Sequence, residues 1–419
     1  MSQKIHVSSE IAPLKRVIVH RPDNGIARIS PQRAEELLFD DIVYLPQMQE
    51  EHDIFTKVLR SFLGKENVFE TEQLLTESLT LDNEFREELI DMAIAEEELP
   101  KSTKKILMRL PPDELTKVLI TGYYKSEDHI LFDPIPNFIF TRDIAVTIND
   151  HIIITKASKE ARARENLLTR FILRTHPLFK SLVENDRIIN LNIIDDFPPS
   201  KKGEKVSIEG GDVMIINKDY VLIGCSERTT PHAVHSLAKV LFERNVIANV
   251  VQVNVPNERS FMHIDTLFTQ INTTDFVGYK PITVDGLGSN VIVWRKGGGS
   301  KTYPSVEQFL QQEINPDIRF IHTGNGISPF QEREQWTDGC NLVAIKAGVA
   351  LTYDRNPKTE IAFKAAGYKI VHATDLLKAF DDGILSPEDV KNTIITLPSN
   401  ELSRARGGSH CMTCPIERG

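Results

Sequence analysis

The 419-residue sequence predicts an α/β fold interrupted by a wholly helical segment. Three observations carry that expectation. Short β-branched runs alternate with helical patterns, one stretch from about Leu75 to Tyr123 shows helical periodicity alone, and no Pro/Gly-rich linker divides the chain into two cores. With 41% hydrophobic and 26% charged residues, the composition is that of a globular protein able to bury a large core.

LKRVIVH, Leu14 to His20, reads as a strand stopped by Pro22, and a helix is expected from Gln49 to Leu63, ended by Gly64. In the helical segment Phe85, Leu89 and Met92 fall on one face, with Asp82 as the expected N-cap. Pro111 and Pro112 break the chain before a further helix from about Asp113 to Gly122. β-like runs follow at Asn137 to Phe140 and His151 to Thr155. VMIINKDYVLIG reads as a hairpin turning at Asn217-Lys218-Asp219, a helix is expected from Pro231 to Arg244, and VIANVVQVNVP resumes the strands. No fixed-length repeat stands out, although strand-strand-helix groupings recur.

The formal charge is −10, and the stretch from Asp82 to Glu98 alone contributes −7, which leaves the remainder near neutral at −3. That run is expected to be a solvated helix face. No basic stripe points to nucleic acid or an anionic membrane. Neither a signal-peptide stretch nor a run near the roughly 18 apolar residues of a membrane span occurs, so a cytoplasmic protein is expected. Four cysteines (Cys225, Cys340, Cys411 and Cys414) are too few for a disulfide framework. A cysteine that matters here is then a nucleophile or a ligand.

GLGSNV (Gly286 to Val291) lacks the third glycine of a dinucleotide loop, and GGGSKT (Gly297 to Thr302) has Ser300 where a phosphate loop needs glycine. The closing RGGSHCMTCPIERG holds a CxxC beside His410. A structural zinc site needs four ligands, and Cys225 and Cys340 are isolated, so a zinc clip from His410, Cys411 and Cys414 is the lesser alternative. Three other stretches have chemical texture. NFIFTRD (Asn137 to Asp143) reads as an apolar strand ending in Thr-Arg-Asp, EGGDV (Glu209 to Val213) places two glycines between acids, and MHIDT (Met262 to Thr266) sets His263 and Asp265 on one side of a strand. Each also has a plain structural explanation as a strand end, a turn or a half-buried histidine.

A cysteine, a histidine and several carboxylates together suggest covalent catalysis on a cation. A thiolate normally needs a positive charge nearby, and carboxylates work against it unless the charge arrives with the substrate. A guanidinium, which carboxylates clamp with paired hydrogen bonds, fits that role.

NFIFTRD, EGGD, CSERT (Cys225 to Thr229), HIDT and RGGSHCMTCPI, with SEIAPLKRVIVHRP, ELLFDDI and EEHDIF before them, resemble in order the signature stretches of the arginine deiminase family of the guanidine-modifying superfamily. The resemblance implies a pseudo-fivefold α/β propeller of ββαβ units, formed by residues 1–74 and 124–419, with a helical bundle inserted at 75–123. It implies hydrolysis of L-arginine to L-citrulline and ammonia with no metal or organic cofactor, no nucleic-acid or membrane partner, and an oligomeric state left open, a homo-oligomer included. Carried over by position, Cys411 is the nucleophile and His263 the general acid and base. Asp143 and Asp265 grip the guanidinium, and Glu209 supports the tetrahedral intermediates. Arg162 and Arg228 hold the substrate carboxylate, Asn137 contacts the amino-acid end, and Arg406 is a mobile loop arginine.

His410 is set aside as the base and Cys414 as a bystander. Ile144 follows Asp143 where many members have proline, a departure that bears on the substrate wall. An amidinotransferase or a methylarginine or agmatine hydrolase would use similar chemistry, but agmatine leaves Arg162 and Arg228 without a carboxylate to hold.

Overall fold

The computed structural model describes residues 4–81, 83–125 and 128–419, so Asp82, the expected N-cap, lies outside the described residues. The fold is α/β. Among the described residues five sheets share one plan: two antiparallel strands, then a third strand, parallel to one of them, that the chain reaches through a helix. In the first, Leu14–Val19 pairs antiparallel with the final strand Cys414–Arg418 and parallel with Val68–Glu70, with helix Leu45–Leu63 between. The two ends of the chain are therefore neighbours.

The second sheet joins Ala145–Ile148, His151–Ile154 and Ile188–Asn190, and the third runs from the hairpin Val213–Asn217 and Tyr220–Cys225 through Asn249–Asn254 to two further strands. Phe268–Gln270, Asp275–Gly278 and Arg319–His322 make the fourth. Val343–Lys346, Val349–Tyr353, Thr393–Leu397 and Lys369–His372 make the fifth. Many of these strands are buried along their whole length, as in Ala145–Ile148 and Thr393–Leu397. Strands covered on both faces need continuous apolar runs, and this sequence supplies them.

The first helix begins four residues before the expected Gln49, because Pro46 occupies its first turn, where a missing N–H leaves no bond unmade. A larger correction concerns NFIF. Asn137 to Phe140 is not a strand: Pro136–Ile139 forms a 3-10 turn, again with a proline in its first turn. MHIDT is likewise a 3-10 turn over Ile264–Thr266, with His263 extended before it, and EGGD is a turn over Gly210–Asp212. Both lead directly into strands.

Between Thr71 and Thr121 the chain forms helices Thr71–Leu81, Asn83–Glu96, Thr103–Leu107 and Pro112–Thr121. Leu75, Leu89, Leu107, Leu115 and Leu119 share one core cluster with Leu168 and Phe171 of helix Ala163–Thr175 and with Ile152 and Ile154 of the second sheet. Glu84, Glu87, Glu88, Asp91, Glu96 and Glu98 are exposed, as expected of a solvated face. Lys104 bridges Glu87 and Asp91, and Arg174 pairs with Glu88. Buried Arg86 donates to the carbonyls of Met108 and Leu110, which closes the break between the last two helices. No helix among the described residues is long and apolar enough to cross a membrane.

Leu75 is fully buried in this shared cluster. Leu75→Ala is expected to destabilise the protein by about 2–5 kcal/mol, read as a lowered urea midpoint with an unchanged slope.

Candidate active site

Each sheet has one turn that immediately precedes its antiparallel pair. Those turns hold Asn137 to Asp143, Glu209 to Asp212, His263 to Thr266, Asp338 to Asn341 and Arg406 to Cys411. The topology thus brings residues some 270 positions apart to one centre. Cys411, His263, Glu209, Asp143, Asn137, Arg162, Arg228 and Arg406 all line a chamber of about 30 Å³. Asp265 does not line it but lies behind the sulfur, its Oδ2 3.5 Å from Cys411 Sγ.

His263 Nε2 sits 2.9 Å from Glu209 Oε2, and its Nδ1 is 3.9 Å from Asp143 Oδ1. Burial alone would lower the imidazole pKa. Asp143, the Glu209 hydrogen bond and Asp212 outweigh it and raise the pKa to about 10, so the ring is an imidazolium at neutral pH. Gly211 makes this packing possible: a Cβ there would lie 2.5 Å from His263 Nδ1. Its N–H donates to Asp143 Oδ1 at 2.9 Å, which ties the second and third sheets together across the site. Glu209 is held low despite burial by His263 and Arg162, and its Oε1 accepts the Ser158 N–H at 3.0 Å.

Burial pushes the Cys411 thiol well above its usual value, and Asp265, Asp143 and Asp338 push it further. Its loop is pinned on every side. Arg142 N–H donates to the Cys411 carbonyl at 3.0 Å, Ser409 Oγ to the Leu351 carbonyl at 2.7 Å, and Tyr353 Oη to the Gly407 carbonyl at 2.6 Å. Gly408 admits the neighbouring chain, since a Cβ there would lie 2.6 Å from Asn341 Oδ1.

The arginines are placed as follows. Arg162 is buried with its guanidinium against three carboxylates: Nη1 lies 2.7 Å from Asp143 and 3.4 Å from Glu209, and Nη2 lies 2.8 Å from Glu165. It is therefore engaged by acids and not free to receive a carboxylate in this state. Arg228 is buried and looser, 3.8 Å from Glu209 and 3.7 Å from Glu227. Arg406 has a left-handed backbone, φ 63°, and stacks its guanidinium 3.2 Å from the centroid of the Trp336 ring. Asn137 donates to the Leu37 carbonyl at 2.8 Å.

One pairing differs from expectation. Asp265 does not accompany His263: its Oδ2 accepts from His410 Nδ1 at 2.9 Å, and His410 Nε2 lies 3.4 Å from Glu10. The alternation expected of a strand is absent in a 3-10 turn, so His263 and Asp265 reach different partners. Asp265 Oδ1 is buried and has no hydrogen-bond partner among the described residues. The His410–Cys411–Cys414 zinc clip is also set aside. Cys414 Sγ turns to the Ala145 carbonyl at 3.2 Å while His410 turns to Asp265, and the three do not converge. Asp143, Glu209 and His263 do cluster closely enough to hold a metal ion, but here Arg162 and the imidazolium neutralise both carboxylates.

Sequence reasoning missed Glu10, Glu165, Asp338 and Asn341. Burial raises Glu165 to about 7 against the pull of Arg162, and raises Asp338 likewise to about 7 beside Arg406. Asn341 touches the sulfur. The signal available for it was its place in WTDGCN just before an apolar strand, the same place that the other site segments occupy. Beyond the chamber, a cavity of about 1240 Å³ shares Leu38, Arg228 and Arg259 with it and forms its approach.

Among solved structures, the fold resembles that of the N-terminal domain of ArgZ bound covalently to a reaction intermediate, with a TM-score of 0.52 and 13% identity, covering 96% of this chain and 98% of that one. Unliganded AgrE gives 0.51 at 12% identity, covering 96% of this chain and 40% of that one. These likenesses are of fold, an α/β architecture that this chain shares with both. Residues 35–418 match the arginine deiminase family, and the chain belongs to it. Arginine deiminases of Limosilactobacillus fermentum and Listeria monocytogenes serovar 1/2a are 35% and 34% identical over the whole of this chain and 99% and 98% of theirs. That of Bacillus cereus is 33% identical over 100% of this chain and 99% of its own.

Removing a negative charge beside a thiol favours the thiolate. Asp265→Asn is therefore expected to move the Cys411 titration midpoint down, measured as ultraviolet thiolate absorbance after subtracting a Cys411→Ala control. In the unsubstituted protein that midpoint should lie above the ordinary thiol value of about 8.5.

Proposed function

We propose that the protein is an arginine deiminase that hydrolyses L-arginine to L-citrulline and ammonia. The observation that carries this is the meeting of one thiol, one imidazolium and a carboxylate pair that already seats a guanidinium, that of Arg162, between Asp143 and Glu209. The pocket's acids are thus arranged for the group the reaction transforms.

The substrate guanidinium takes the place of Arg162 against Asp143 and Glu209, and Arg162, released, turns with Arg228 to the substrate carboxylate. Asp265, with one oxygen unpaired, accepts from the guanidinium on the sulfur side. The incoming positive charge offsets the carboxylates that hold the thiol protonated, so Cys411 gives up its proton to solvent when substrate is present. The sulfur attacks the guanidinium carbon, His263 protonates the departing nitrogen, and ammonia leaves an amidino-thioether. The neutral imidazole then takes a proton from water, which adds to the same carbon. The C–S bond breaks with its electron pair on sulfur, the new hydroxyl passes its proton to the sulfur, and citrulline is released with Cys411 again a thiol.

At about 30 Å³ the chamber is far smaller than an arginine side chain needs, so on this reading side chains turn away as arginine enters, Arg406 among them. On the same basis the five sheets form a pseudo-fivefold α/β propeller of residues 1–74 and 124–419, with residues 75–123 as a helical insertion. Support comes from the shared strand plan and from the four helices between Thr71 and Thr121. The four cysteines are free and buried, as suits a reducing cytoplasm.

A citrulline assay with arginine, agmatine and methylarginine is expected to give product from arginine. It should lose that activity in Cys411→Ser and retain it in Cys414→Ser. Activity surviving Cys411→Ser would sink the mechanism. Arg228→Ala should raise KM for arginine about tenfold or more with a smaller effect on kcat, because it removes a contact made equally in ground and transition states.

A further inference from the structure

We infer that Asn341 is a further catalytic residue: its side-chain amide hydrogen-bonds the Cys411 sulfur and stabilises it as the thiolate that attacks and later departs. The inference rests on the deiminase chemistry above.

The amide's orientation follows from its neighbours. Asn341 Oδ1 accepts from the backbone N–H of His410 at 3.0 Å and of Cys411 at 3.2 Å. A flipped amide would set its NH2 against both donors. Nδ2 therefore faces the other way, where it donates to the Asp265 carbonyl at 3.1 Å and to Cys411 Sγ at 3.1 Å. Two hydrogens meet two acceptors, and the residue is 1% exposed, so water does not compete for either.

Apart from the Gly408 backbone N–H, the sulfur otherwise has acids around it. Asp265 Oδ2 lies 3.5 Å away and can only accept, and the His263 imidazolium is committed to Glu209 at 2.9 Å. Among the described residues Asn341 is the side chain that donates to Sγ. A neutral donor is what this position requires. A lysine or arginine beside the sulfur would repel the incoming guanidinium, whereas an amide strengthens its bond as charge appears on sulfur and leaves the substrate's charge unopposed.

Topology gives independent support. Asn341 ends the turn before Val343–Lys346, the position that Asp143, Glu209 with Asp212, His263 with Asp265, and Cys411 hold in the other four sheets. The fifth sheet's turn thus delivers its own group to the centre. In the first step the sulfur lone pair forms the C–S bond and the nitrogen leaves with the proton from His263. In the last, the C–S pair returns to sulfur. Asn341 acts on both, since sulfur is an anion at the start of one and the end of the other.

Asn341→Ala is expected to lower kcat for citrulline formation about 10- to 100-fold, with KM within about threefold. It should also raise, by about one pH unit, the midpoint for alkylation of Cys411 by iodoacetamide, followed by mass spectrometry of the C-terminal peptide. Asn341→Ser, which returns an O–H donor, should recover part of both. Asn341→Asp keeps the acceptor for the two N–H groups and removes the donor. It should lose more activity than the alanine variant, and it stands in if that variant fails to fold by circular dichroism. Unaltered kcat and alkylation midpoint in a folded Asn341→Ala or Asn341→Asp would overturn the inference. A loss of kcat with an unmoved alkylation midpoint would also overturn it, leaving Asn341 a prop for the loop. If the unsubstituted protein makes no citrulline from arginine, the deiminase proposal fails, and the alkylation midpoints still decide the role of the amide.

Discussion

The structure depends on keeping a dense set of ions balanced out of water. Asp143, Glu165, Glu209, Asp265 and Glu10 are all buried, as are Arg162, Arg142, Arg228, His263 and His410. A lone carboxylate in such a place would cost several kcal/mol or simply take up a proton, and Glu165 and Asp338, raised to about 7, lie partway to that outcome. Despite burial, His263 and Arg162 hold Glu209 low, and Arg142 holds Glu10 low. That balance demands accurate placement, which flexible surface loops do not give. Turns of a few residues, each running straight into a buried strand, do.

The pairing of the last strand with the first has the same purpose. Ile18 lies opposite Cys414, so the segment carrying Cys411 is anchored three residues downstream to the start of the chain. Upstream it is held by Tyr353 and Leu351 of the fifth sheet. Cys411 thus sits between the first and fifth sheets, held to both. A cysteine at a frayed terminus would have neither the burial nor the fixed distance to Asp265 that Cys411 has here.

Much of this was legible in the sequence. Apolar runs marked the strands His151–Ile154, Val213–Asn217 and Tyr220–Cys225, and helical periodicity marked the segment after Thr71. Segments rich in unlike polar types marked the residues that line the chamber. What did not show were local conformations set by one proline and partners set by the fold. Pro136 turns NFIF into a 3-10 turn, although its apolar residues suit a strand. Asp265 reaches His410, 145 positions away, and not the histidine two residues before it, because a tight turn sends the pair in different directions. Glu10 carries no spacing that marks it, and Asn341 had only its place before an apolar strand. Only the assembled sheets show that Glu10 faces His410 and that Asn341 ends the fifth of five equivalent turns.

The guanidinium of Arg162 between Asp143 and Glu209 gives ligand entry the character of ion exchange. On the proposed reaction, an arriving guanidinium replaces one that is tethered to the protein and present at high effective concentration. Affinity therefore measures the difference between two nearly identical cations for the same acids, and it is weaker than the contacts alone would give. On the same proposal, citrulline is neutral, so the acids lose the substrate's charge as it forms, and the internal cation falls back against them as product leaves. The resting site then regains its net charge and its shape, with Asp143 and Glu209 again facing a cation in a dry interior.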